Sequence, residues 1–218
     1  MKLALALLGT LFVCQSATAA PRHLRVLFVG NSLTAANDLP TVVAKIGASR
    51  HVTIDTRTFA AGGYALEDHW AEGSALAALR EGGWDTVVLQ QGPSSLPESG
   101  VNLTEWARRW ADEARRHGAR PALLTVWPER ERRYAFPDVI RHYAAAARSA
   151  HAALFPAGTA WRYALARGAR LYGPDGFHPS PTGSYLAAIV VYAGLTGELP
   201  RNLPPLLRKA ASVAFASA

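Results

Sequence analysis

Two short motifs near opposite ends of the chain carry residue types that can cooperate in nucleophilic chemistry. Ser32 lies in Gly30-Asn31-Ser32-Leu33-Thr34, and Asp175 and His178 lie in Asp175-Gly176-Phe177-His178-Pro179. A serine hydroxyl is a weak nucleophile until an imidazole accepts its proton, and a carboxylate fixes the tautomer and orientation of that imidazole. Aspartate and histidine three apart can face one cleft when a tight turn separates them. Gly176 permits the turn and Pro179 stiffens its exit. Each motif also has a plainer explanation. Serine is a common helix N-cap, and an Asp-x-x-His in a Gly/Pro-rich loop is ordinarily just solvated. The two motifs mean more together, because both are expected at one edge of one sheet.

That expectation comes from the elements around them. Within Leu24 to Thr34 the apolar run Val26-Leu27-Phe28-Val29 stops at Gly30, and a continuous run of this kind reads as a strand buried on both faces, as in parallel sheets. Further strand candidates are 52–58, 86–90, 122–126 and 152–155, with the first at 25–29. Helical candidates lie between and after them, near 39–50, 74–81, 103–117, 138–149, 159–166 and 182–195. Alternation of this sort predicts an α/β domain with a mostly parallel sheet. Ligands of open α/β sheets bind at the carboxyl ends of the strands, which is where Ser32 falls. Backbone N–H groups at the start of the following helix can stabilise a developing anion there. The tail from Pro200 to Ala218 is expected either to pack as a short helix or to fray.

The first twenty residues read differently. Lys2, the apolar stretch Leu3 to Val13 and the small-residue exit Ala17-Thr18-Ala19-Ala20 have the anatomy of a secretory signal peptide. Cleavage after Ala19 or Ala20 implies an exported protein, periplasmic or secreted, with no stable membrane span; a retained anchor is the alternative. Residues 21–218 then form a single domain large enough for a substantial core. Cys14, read as a residue of the signal peptide, is the sole cysteine, which excludes thiol catalysis and cysteine-based metal sites in the mature chain. The formal charge of +7 includes Lys2, leaving +6. Arg108, Arg109, Arg115, Arg116 and Arg120, with Arg130, Arg132 and Arg133 beyond, are interleaved with Glu105, Asp112 and Glu113 and read as a solvated face. No nucleic-acid-binding module is recognisable, so no nucleic-acid partner is expected. Glu67, Asp68 and His69 resemble a metal cluster by composition only, since adjacent residues fall on different helix faces, and no metal is assigned.

Gly30-Asn31-Ser32-Leu33-Thr34 after a first buried strand, with Asp175-Gly176-Phe177-His178-Pro179 before a last helix, resembles the SGNH/GDSL hydrolase superfamily. Ala160-Trp161 and Gly183-Ser184-Tyr185-Leu186 also look familial, so the resemblance spans nearly the whole mature chain. It implies a three-layer α/β/α, flavodoxin-like fold with a five-stranded, mostly parallel sheet. It further implies serine esterase chemistry without a cofactor. In that reading Ser32 is the nucleophile, His178 the general base and then acid, and Asp175 the orienting carboxylate. The Ser32 and Gly63 N–H groups would hold the oxyanion.

Two departures from the family pattern stand out. Asn31 replaces the usual aspartate before the serine, keeping hydrogen-bonding capacity but dropping a charge. The Gly-x-Asn-Asp element after the third strand is absent; Gly92 matches its glycine and Ser94 falls at the asparagine position. A glutamine amide can donate the same hydrogen bond, and Gln90 is expected to supply it, with Gln91 or Ser94 as alternatives. Gln91 and Trp127 are expected to line the substrate pocket. The substrate class implied by resemblance and export is a small ester or acylated carbohydrate. An O-acyltransferase on the same fold, or a non-catalytic glycan-binding protein, are the alternatives. The sequence does not set the oligomeric state.

Overall fold

The computed structural model describes residues 22–218; the expected signal peptide lies outside the described residues. Five strands, β1 (Arg22–Gly30), β2 (Val52–Ala60), β3 (Thr86–Leu89), β4 (Arg120–Leu124) and β5 (Ala153–Phe155), form one sheet in the order β2-β1-β3-β4-β5. Every neighbouring pair is parallel. Val26, Leu27, Phe28 and Val29 of β1 are fully buried, and β3 is buried along its whole length. Both strands are central and covered on both faces over these stretches, which is why Val26–Val29 and Val87–Leu89 are unbroken apolar runs. Edge strand β2 instead alternates buried and exposed residues in its first half.

The strand order reverses direction at β1. The chain goes outward from β1 to β2 through α1 (Ser32–Ala35), a 3₁₀ turn (Ala36–Asp38) and α2 (Leu39–Ala48). It then crosses back over β1 to β3 through α3 (Leu66–Glu72) and α4 (Ser74–Arg80), and continues through α5 (Pro97–Arg116) to β4 and α6 (Phe136–Ser149) to β5. Right-handed crossovers in opposite directions put their helices on opposite faces. Helices α3 to α6 accordingly form one layer. The last three helices, α7 (Ala157–Leu165), α8 (Pro181–Thr196) and α9 (Pro205–Ala216), join α2 in the other. The fold is the three-layer α/β/α arrangement, and the switch point between β1 and β3 is where Ser32 emerges.

Two elements depart from the sequence expectation, and a third settles an alternative it left open. Helix α5 starts at Pro97, six residues before the expected Leu103, because a proline at the first helical position lacks only an N–H that would have no partner there. The short helix α3 was not expected; its buried positions are Leu66 and His69, too few to show a period. The tail packs rather than frays: Leu207, Ala210, Ala211 and Ala214 form the buried stripe of α9 against α7. No helix of the described residues is long and apolar enough to cross a membrane.

Candidate active site

The turn after β1 separates two roles that a serine could have combined. Asn31, not Ser32, is the N-cap of α1: its backbone is extended (φ −125°) and its Oδ1 accepts from the Leu33 N–H at 3.1 Å. Ser32 is the first helical residue, so its hydroxyl is released from capping. Its Oγ lies 2.9 Å from His178 Nε2. The asparagine in place of the family's usual aspartate thus has a local task that needs no charge.

His178 arrives on the loop between α7 and α8. Its Nδ1 lies 2.5 Å from Asp175 Oδ2, while Asp175 Oδ1 accepts from the N–H groups of Phe177 and His178, each at 3.0 Å. With Nδ1–H donating to the carboxylate, Nε2 is left as the acceptor for the Ser32 hydroxyl. The hydrogen bond from His178, followed by that from the Phe177 amide, lowers the Asp175 pKa to about 2. The carboxylate therefore stays charged at any neutral or mildly acidic pH. The structure brings Ser32, His178 and Asp175 into one line of hydrogen bonds.

The loop is held from behind by the segment after β4. Trp127 Nε1 donates to the Phe177 carbonyl (3.1 Å), the Arg130 N–H to the Gly176 carbonyl (2.7 Å), Arg130 Nη2 to the Gly173 carbonyl (2.7 Å) and the Tyr172 hydroxyl to the Pro128 carbonyl (2.8 Å). An isolated antiparallel bridge between Tyr172 and Pro179 closes the loop's neck. Trp127 was expected to line the substrate pocket and does not. It is 2% exposed and stacked flat on Trp161, with ring centroids 3.5 Å apart and planes 3° from parallel. An indole of this size is most stable in the core when its N–H finds a partner, and here the partner is the loop that carries His178.

Gln90 also departs from expectation. Its Oε1 accepts from the Asn31 N–H (2.9 Å) and the Thr34 hydroxyl (2.7 Å). Its Nε2 donates to Asn31 Oδ1 (2.9 Å) and the Gln91 carbonyl (2.6 Å). Both lone pairs and both amide hydrogens are thus engaged, and the side chain is 1% exposed. No N–H remains to meet an oxyanion, so Gln90 braces the serine turn instead. Gly30 makes that brace possible, because a Cβ there would sit 2.6 Å from Gln90 Oε1 and 2.5 Å from Thr34 Oγ1. From the other side the buried His69 approaches the Gly30 carbonyl at 2.6 Å. That contact gives His69 a structural partner, and no group of three potential metal ligands occurs among the described residues.

A cavity of about 360 Å³ opens above Ser32, walled by Asn31, Gly63, Tyr64, Gln91, Ser94, Phe177 and their neighbours. Gly63 has φ +79°, a turn conformation that a side chain would strain. Among the described residues neither the Ser32 nor the Gly63 N–H has a hydrogen-bond acceptor. Gln91, unlike Gln90, stands on the cavity wall, yet its Nε2 donates to Ser94 Oγ (3.0 Å) and Asn102 Oδ1 (3.4 Å), its Oε1 accepts from the Leu66 N–H (3.3 Å), and the Ser94 hydroxyl donates to the Gly92 carbonyl (3.1 Å). Ser94 is itself held at φ +52°, its carbonyl 2.7 Å from His142 Nδ1. Tyr64, Phe177 and Asn102 complete walls that no sequence pattern singled out.

No family model matches the chain, and no curated protein matches it either. Solved structures do. A protein from Slackia heliotrinireducens described as a proposed SGNH hydrolase is 28% identical, covering 80% of this chain and all of that one, with a TM-score of 0.68. A DUF4886 family protein from Bacteroides uniformis is 19% identical over 90% of this chain and 94% of its own, with a TM-score of 0.70. A variant of an acetyl xylan esterase from Geobacillus stearothermophilus is 16% identical over 82% and 97%, with a TM-score of 0.65. The latter two share the fold. With the similarity to the Slackia heliotrinireducens protein and the site geometry above, the chain belongs to the SGNH/GDSL hydrolase superfamily.

Proposed function

We propose that the chain is an exported serine ester hydrolase that removes small acyl groups from a carbohydrate or similar alcohol. The observation that carries this reading is the Ser32–His178–Asp175 alignment at 2.9 and 2.5 Å. Ser32 Oγ attacks the ester carbonyl carbon as its proton passes to His178 Nε2. The tetrahedral oxyanion is held by the unpartnered N–H groups of Ser32 and Gly63. The side-chain hydrogens of Gln90, Gln91 and Ser94 are already donated within the protein, so these two backbone donors carry the oxyanion hole. Collapse breaks the bond to the alkoxide, which leaves with the proton from His178. Water then gives a proton to the same nitrogen and attacks the acyl-enzyme, and Ser32 recovers its proton as the acid departs. No step needs a cofactor.

The small cavity above Ser32 supports a short acyl group. The carbohydrate follows from the resemblance and from the acetyl xylan esterase among the fold neighbours. Export rests on the N-terminal sequence. Ser32→Ala is expected to lower hydrolysis of p-nitrophenyl acetate by about 10³-fold or more, with an unchanged circular dichroism spectrum and unfolding midpoint. Undiminished turnover in that variant would sink the assignment.

A further inference from the structure

The chemistry above accounts for the cavity over Ser32 but not for what adjoins it. Past Phe177 the space continues into a second cleft of about 190 Å³, which shares Pro93, Ser94, Ser99 and Phe177 with the first. Its remaining walls include Pro128, Glu129 and Arg132. Arg132 is half-buried, and its Nη2 donates to Ser95 Oγ at 3.1 Å. Three of the four arginines of α5 provide the contrast, whereas Arg108, like Arg132, has no carboxylate partner among the described residues. Arg109, Arg115 and Arg116 each hold a carboxylate, of Glu105, Asp112 and Glu113, at 2.7–2.8 Å. Among the described residues Arg132 has no carboxylate within 4 Å, although Glu129 stands on the same lining.

We propose that this cleft is a subsite for an acidic sugar in the alcohol part of the ester, with Arg132 holding the sugar's carboxylate. The proposal rests on the ester-hydrolase reading and names its substrate class. A guanidinium on a single neutral hydrogen bond keeps donors free for a planar, bidentate carboxylate. The 20-residue helix α5 begins at the cleft, with Leu96 and Ser99 on the lining, so its positive end adds to the same potential. Glu129 accepts from hydroxyls, and an unpaired cation and anion on one lining suit a ring that carries a carboxylate beside hydroxyl groups. A neutral sugar would leave the guanidinium without its counter-charge. The overall positive charge favours encounter with an acidic polymer.

The test compares two esters that differ only at C6: methyl glucopyranosiduronate and methyl glucopyranoside, each monoacetylated at the same hydroxyl, with p-nitrophenyl acetate alongside. Wild type is expected to prefer the uronate by about tenfold in kcat/KM at low salt, carried by KM and shrinking as ionic strength rises. In Arg132→Ala the preference falls to near unity, and Arg132→Lys restores part of it. If Arg132 only braces Ser95, its loss slows both sugars alike and leaves their ratio unchanged, which overturns the subsite. Turnover of p-nitrophenyl acetate with no uronate preference in wild type overturns the subsite alone. Absence of hydrolysis on all three esters overturns the hydrolase reading and this proposal with it.

Discussion

The two halves of the Ser32–His178–Asp175 line are built from opposite materials. The serine half is a buried polar knot, in which Asn31 and Gln90 are 6% and 1% exposed and each Gln90 hydrogen-bonding position is filled. The histidine half stands in solvent, with the side chains of His178 and Asp175 41% and 51% exposed. Only its backbone is anchored, through carbonyls gripped by Trp127 and Arg130. A buried polar network has to be completed or it destabilises the fold. An exposed loop needs only to be aimed. Damage to the first half should therefore register as lost stability, and damage to the second as lost rate.

Gln90→Leu breaks the comparison hardest. The substitution keeps the volume but strands the buried Asn31 N–H and the Thr34 hydroxyl, whereas Asn31 Oδ1 keeps the Leu33 N–H and the Gln91 carbonyl keeps the Tyr143 hydroxyl. Two orphaned donors cost about 2–6 kcal/mol in all, expected as a drop in the urea midpoint at constant m-value. A midpoint unmoved from wild type, with activity alone reduced, would return Gln90 to the oxyanion hole. Trp127→Phe probes the other half. It keeps most of the face stacked on Trp161 and loses the bond to the Phe177 carbonyl. Stability should fall by about 1–2 kcal/mol, while kcat on p-nitrophenyl acetate falls about tenfold because the imidazole is no longer held in line. Unchanged kcat would mean that the exposed loop keeps its aim without its anchor.

The same division explains what the amino-acid sequence made legible. The α/β alternation, the parallel sheet and the juxtaposition of Ser32 with Asp175 and His178 follow from local patterns: unbroken apolar strands, a glycine at the turn, an Asp-x-x-His before a helix. The fate of each polar side chain does not. Gln90 and Gln91 are identical neighbours in sequence, and a one-residue step at the end of β3 turns one into the knot and the other onto the cavity wall. Trp127 sits at the expected sheet edge, yet its direction is fixed by Trp161, 34 positions away, which no spacing rule links to it. Arginines 109 and 132 look alike in sequence too; helical spacing pairs the first with Glu105, whereas the second lies in an irregular turn where no such rule operates.

Asp175 supplies the mildest and sharpest check of the comparison. Its pKa is lowered from 3.8 to about 2 by the hydrogen bond from His178 first and the Phe177 amide second. A carboxyl group whose folded value lies below its unfolded value stabilises the fold fully above the unfolded value. That contribution is lost as the pH falls through the folded one. The affected window therefore runs from about pH 4 down to pH 2. Removing the titrating group in Asp175→Asn should leave a stability difference from wild type that is constant above pH 4 and shrinks towards pH 2, read from urea midpoints across that range. Because the group stands in solvent, the difference should be small beside that of Gln90→Leu. A loss at pH 7 as large as that of Gln90→Leu would show that the exposed half is structural after all, and the contrast between buried knot and aimed loop would fail.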